Sequence, residues 1–172
     1  MVTLLITGFP KSGRGRIEII KENFDTEVCT NIPEYSLQVD NAAGSYWKDG
    51  KLLICGGDEG IRMKSECYIF KNGEWLSNIE NLQTGRSLHG ISNHEDFLWI
   101  TGGKNGTQRL ASTEIIYPDG KVTSGPDLPE ARDGHCQLSY GQTIFILGKC
   151  TLLLKLGSNP ISISVFLKIL KI

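Results

Sequence analysis

Three segments of this chain align with one another at a fixed period of 46 residues, running over 41–57, 87–103 and 133–149. The period is marked by Gly56, Gly102 and Gly148, and Arg86 and His89 recur as Arg132 and His135. A polar loop follows each glycine. Next comes a β-rich run carrying a glutamate, either Ser65–Phe70 with Glu66 or Thr113–Tyr117 with Glu114. A polar turn (Lys71-Asn72-Gly73 or Pro118-Asp119-Gly120) leads to a last short run around Trp75 or Val122. Each unit is thus four short runs rich in Ile, Leu, Tyr and Trp, separated by turn residues. No stretch holds a helical period over ten or more residues. A repeat of roughly 40–50 residues with four strands is the signature of a propeller blade.

A weaker copy lies upstream. Leu4-Leu5-Ile6-Thr7-Gly8 parallels Leu52-Leu53-Ile54-Cys55-Gly56 and Leu98-Trp99-Ile100-Thr101-Gly102, and Arg16–Ile20 supplies the corresponding glutamate, Glu18. The whole pattern resembles the kelch repeat. The residues that carry the resemblance are the doublets Gly56-Gly57 and Gly102-Gly103, the pair Tyr68 and Trp75, and the blade openings Arg86-Ser87-Leu88-His89 and Arg132-Asp133-Gly134-His135. A WD repeat is the nearest competitor, but no Trp-Asp dipeptide is present. The match covers residues 3–149 and weakens at both ends, where Gly8-Phe9 and Gly148-Lys149 replace the doublet.

The resemblance implies an all-β fold, a kelch-type β-propeller of about three and a half four-stranded antiparallel blades. These are a partial blade at 3–36, blades at 41–82 and 87–130, and a partial blade at 133–149. Propellers close with about four to eight blades, so an open or incomplete ring is expected. Its exposed blade edges would allow self-association. The apolar tail 150–172 departs from the repeat. Its apolar parts fall short of the ~20 residues of a membrane-spanning helix. It reads as a strand or short amphipathic helix over the last blade, or as an artefact of a truncated gene model.

Composition narrows the function. The net charge of -1 points to neither nucleic acid nor an anionic membrane surface. The start, Met1 to Gly8, lacks the basic opening of a signal peptide. The Asn105-Gly106-Thr107 glycosylation pattern then reads as a chance match in a loop. Five cysteines without a CxxC pair argue against a disulfide framework or zinc site. Free buried thiols in a reducing, cytoplasmic setting are expected. No metal or cofactor is called for, and no nucleophile–histidine–carboxylate order is persuasive.

Binding residues concentrate on loops of a rigid scaffold. The loops after the second strands carry Lys11, Arg14, Arg16, Arg62, Lys64, Lys104 and Arg109 against Asp58 and Glu59. With the blade-opening Arg86 and Arg132, they form a candidate basic rim suited to an acidic peptide or protein. Gly56, Gly57, Gly102, Gly103, Tyr68 and Trp75 are read as structural marks, as are the recurring glutamates and histidines; His94 is read as an exposed turn residue. The expected role is therefore a protein-binding module rather than an enzyme. By resemblance it is the substrate-recognition part of ubiquitin-ligase adaptors, here without their BTB and BACK domains. Three alternatives stand beside it: an actin- or cytoskeleton-associated kelch protein, a sugar oxidase or mutarotase of kelch type, and a non-functional fragment.

Overall fold

The computed structural model describes residues 39–47 and 49–149, together with three strands nearer the N-terminus. Those three, β1 (Thr3–Ile6), β2 (Ile17–Ile20) and β3 (Thr26–Val28), form one antiparallel sheet in the order β1-β2-β3. The remainder of the 3–36 segment, with Lys11, Arg14 and Arg16, lies outside the described residues, as does the tail after Lys149.

The first complete unit is a meander of β4 (Ala43–Trp47), β5 (Lys51–Cys55), β8 (Cys67–Lys71) and β9 (Glu74–Leu76), all antiparallel. Between its second and third strands sits a small hairpin, β6 (Asp58–Glu59) with β7 (Arg62–Met63). The second unit repeats this plan. Its sheet is β10 (Gly90–His94), β11 (Phe97–Thr101), β14 (Thr113–Ile116) and β15 (Val122–Ser124), with hairpin β12 (Lys104–Asn105) and β13 (Gln108–Arg109). A final pair, β16 (His135–Tyr140) and β17 (Thr143–Lys149), repeats the first two strands. Every described element is a strand.

Local chemistry sets the turns. Lys71 pairs with Glu74, leaving Asn72 (φ 52°) and Gly73 (φ 87°) as the two-residue link. Positive φ at both central positions is the turn whose twist matches a hairpin, and Asn-Gly is its preferred sequence. The turns after the first strands of the two complete units use Asp49-Gly50 and Glu95-Asp96. His94 is the last residue of β10 and half-buried, not part of an exposed turn.

The core lies between units, not within them. Strand alternation sends one face of each sheet onto its neighbour. Trp47, Leu53, Ile69, Leu82, Ile91, Leu98, Ile100 and Ile116 form one cluster spanning both complete units. Leu128, Ile144 and Ile146 form a second cluster against Trp99 and Ala111. The first strands of the three units stand side by side, β10 between β4 and β16. Trp47, 1% exposed, ties the complete units together: its indole Nε1–H donates to the Asp96 carbonyl across the joint at 3.2 Å. Trp75, by contrast, packs on its register partner Phe70 with ring centroids 5.0 Å apart.

The cysteines depart from expectation. Cys55 and Cys67 are register partners on β5 and β8 with Cα atoms 4.2 Å apart, and they form a disulfide. Cys136 is disulfide-bonded as well. An odd count without a CxxC pair hid this, because the pairing is set by strand register and not by sequence spacing.

Candidate interaction rim

The glycine doublets are joints between consecutive units. All four glycines have positive φ: 65° and 99° at Gly56 and Gly57, 56° and 93° at Gly102 and Gly103. The Gly57 N–H donates to the Arg86 carbonyl at 2.9 Å, and the Gly103 N–H to the Arg132 carbonyl at 2.8 Å. A Cβ on Gly56 would run into the Arg86 carbonyl, and one on Gly102 would lie 2.6 Å from that of Arg132. Glycine is required twice over, for its conformation and for the close approach. The next histidine sits on each joint. A Cβ on Gly56 would be 2.9 Å from His89 Cε1, and one on Gly102 would be 3.0 Å from His135 Cε1.

Arg86 does not belong to the rim. Its side chain is fully buried and its guanidinium donates to the carbonyls of Gly102 (2.8 Å) and Ser112 (3.0 Å) and to the Glu114 carboxylate (2.6 Å). Glu114 also accepts from the backbone N–H groups of Gln83 (2.7 Å) and Thr84 (3.1 Å). A charge taken out of water needs such complete pairing. Glu114 is thus a structural acceptor, as its recurrence suggests. Arg132 has its side chain 16% exposed, and among the described residues its guanidinium lies 3.6 Å from the Glu130 carboxylate.

The two histidines are neutral and buried. Desolvation, reinforced by the charge of Arg86, pulls His89 down to about 3. Desolvation and Arg132 bring His135 to about 4, opposed by Asp133. His135 Nε2 shares a hydrogen bond with Thr101 Oγ1 at 2.9 Å, whereas neither ring nitrogen of His89 has a hydrogen-bond partner among the described residues.

What faces solvent is the pair of hairpins after the second strands. Ile61 stands 95% exposed at the β6–β7 tip, followed by exposed Arg62. Gly106, Thr107, Gln108 and Arg109 are exposed at the β12–β13 tip. The rim is less basic than its sequence suggests. Lys64 pairs with Glu59 at 3.0 Å and Arg109 with Asp133 at 2.7 Å. Lys104 is half-buried. Arg62 and Lys104 remain without an acidic partner among the described residues. The exposed isoleucine went unnoticed in the sequence, because hydrophobic residues elsewhere in the chain mark strands.

An open recess of about 420 Å³ runs between Asn78–Glu80 and the Asp119–Lys121 turn. Its carboxylates are committed to the backbone: Glu80 accepts from Val122 N–H at 2.8 Å and Asp119 from Lys121 N–H at 3.0 Å. Among the described residues no group of three His, Cys, Asp or Glu side chains has metal-binding geometry.

No family model matches the chain. It is 29% identical over 157 residues to Spermatocyte protein spe-26 of Caenorhabditis elegans, which matches 84% of this chain and 27% of that protein. The chain therefore spans about a quarter of the length of this relative. Its fold is similar to the structure of YjhT, with a TM-score of 0.64, 13% identity, and coverage of 80% of this chain and 46% of that one. What is established is that the described residues form repeated small antiparallel β-sheets.

Proposed function

We propose that the chain is a segment of a kelch-type propeller that binds another protein through its hairpin rim, without chemistry of its own. The observation that carries this reading is the display of Ile61 and Arg62 at an exposed hairpin tip. An apolar side chain beside an arginine, in solvent, is the composition of an interface anchor. The 46-residue repeat and the glycine joints support the kelch assignment. Arg62 and Lys104, without an acidic partner among the described residues, favour a partner with acidic residues around an apolar one. A cytoplasmic adaptor-like role fits this; among the described residues no helix is long and apolar enough to cross a membrane.

Affinity capture from cytosol, using immobilised protein, tests the reading. A partner retained at low salt should be lost in the Ile61→Asp, Arg62→Ala double variant. It should weaken, and depend less on salt, in the Arg14→Ala, Arg62→Ala, Arg109→Ala triple variant. Unchanged capture by both variants overturns the rim as the binding face.

A further inference from the structure

The disulfide occupies a place whose chemistry is visible one unit later. Counting 46 residues on, Cys55 corresponds to Thr101, Cys67 to Thr113, and His89 to His135. The correspondence is geometric: Cys55 pairs with Cys67 across β5 and β8, and Thr101 pairs with Thr113 across β11 and β14. Both histidine rings lie against the first glycine of their doublet at nearly the same distance. In the later unit the Thr101 hydroxyl meets His135 Nε2 at 2.9 Å. In the earlier unit the corresponding sulfur is bonded to Cys67 instead. His89, 5% exposed, is left with both ring nitrogens buried and unpartnered.

We propose that Cys55–Cys67 is a redox-exchangeable pair and that His89 is the built-in partner of the Cys55 thiol in its reduced form. A neutral imidazole offers one N–H and one acceptor nitrogen. A cystine sulfur has no proton to give that acceptor. A thiol does. The unsatisfied histidine therefore burdens the oxidised form and is relieved in the reduced one. In a cytosolic protein, disulfides are typically transient and redox-sensing.

The exchange balances with a small thiol such as glutathione as reductant. Its thiolate attacks Cys67 Sγ, the Cys55–Cys67 bond breaks, and Cys55 leaves as a thiolate that takes up a proton released by the reductant thiol. A second glutathione attacks the mixed disulfide, frees Cys67, and departs as glutathione disulfide. Two electrons pass to the cysteine pair, and the two protons of the reductant thiols end on Cys55 and Cys67. Cys55 S–H then donates to His89. Both sulfurs are covered, so exchange proceeds through local opening of the β5–β8 pair.

The test equilibrates the full chain in glutathione buffers of stepped ratio, quenches with acid, alkylates, and maps Cys55 and Cys67 by peptide mass spectrometry. The pair should titrate between disulfide and dithiol. In His89→Ala it should require an about fivefold higher ratio of squared glutathione to glutathione disulfide, the size of one net hydrogen bond. An equal or lower ratio overturns the proposal. So does a pair found fully alkylated without reductant, or fully oxidised throughout. Imidazole 15N shifts of the wild-type protein give a second reading that survives a failure of the variant to fold. His89 should shift on reduction and His135 should not; an unmoved His89 overturns the partnership.

Discussion

At the joint between the two complete units, the cystine of Cys55 and Cys67 shares one core cluster with Ile91, and the His89 ring lies against Gly56. At the next joint, 46 residues on, Thr101, Thr113, His135 and Gln137 hold the same positions. The backbone is the same in both: a positive-φ glycine pair whose second N–H binds an arginine carbonyl. The side chains are not. The second joint holds a connected polar chain, in which Gln137 accepts from Thr101 Oγ1 and donates to Ser92 Oγ and the Trp99 carbonyl, while Ser92 meets Ser139. The first joint is sulfur and hydrocarbon around an unpaired histidine. The repeat therefore specifies where groups go, and leaves open what holds them there.

The largest test concerns the arginines that open the units. Removing a buried ion-pair partner strands the other charge at a cost of about 3–5 kcal/mol. Arg86→Ala should lower unfolding stability by that amount in urea titration, because Glu114 and two carbonyls lose their donor. Arg132→Ala should cost about 1 kcal/mol or less, because its ion pair is with exposed Glu130. Equal losses would break the comparison between the joints.

Acid should weaken both joints, the first more deeply. Histidines held at about 3 and about 4 in the folded chain ionise freely once unfolded. The unfolded chain then binds more protons below about pH 6.5, so stability falls as pH drops through that value. The loss from His135 levels off near pH 4 and that from His89 near pH 3. Chemical denaturation from pH 7 to 4 should show a decline of a few kcal/mol, shallower in His89→Gln.

Thr101→Val probes the polar joint alone. It deprives His135 Nε2 and Gln137 Oε1 of their partner, and should cost about 1–3 kcal/mol in the same measurement. The smallest effect is expected at Leu88, which stands in the left-handed region (φ 54°) where the next unit has Gly134 (φ 63°). Leu88→Gly relieves that strain but adds unfolded-chain entropy and removes a half-buried side chain. Its melting temperature should reflect a change within about 1 kcal/mol.

Much of the architecture was legible in the period itself. Gly56, Gly102 and the Asn72-Gly73 turn announce strand ends, because few other residues tolerate those backbone angles. The glutamates declared themselves structural by recurring. What stayed hidden required register. Cys55 and Cys67 are separated by a hairpin, and only the pairing of β5 with β8 brings them opposite one another. Arg86 reads as a loop charge until Glu114 is placed inside the same unit. Trp47 carried no repeat signature, since the later units have Asn93 and Ser139 at its position.

The glycine joint has a consequence for how such a chain changes over generations. Its bonds run from main chain to main chain and ask of each unit little more than two glycines and a carbonyl in register. Mutation can then trade threonine for cysteine, or glutamine for isoleucine, without touching the fastening. Whole units of 46 residues become interchangeable parts, so duplication or loss of a unit disturbs only the side-chain filling at the new boundary.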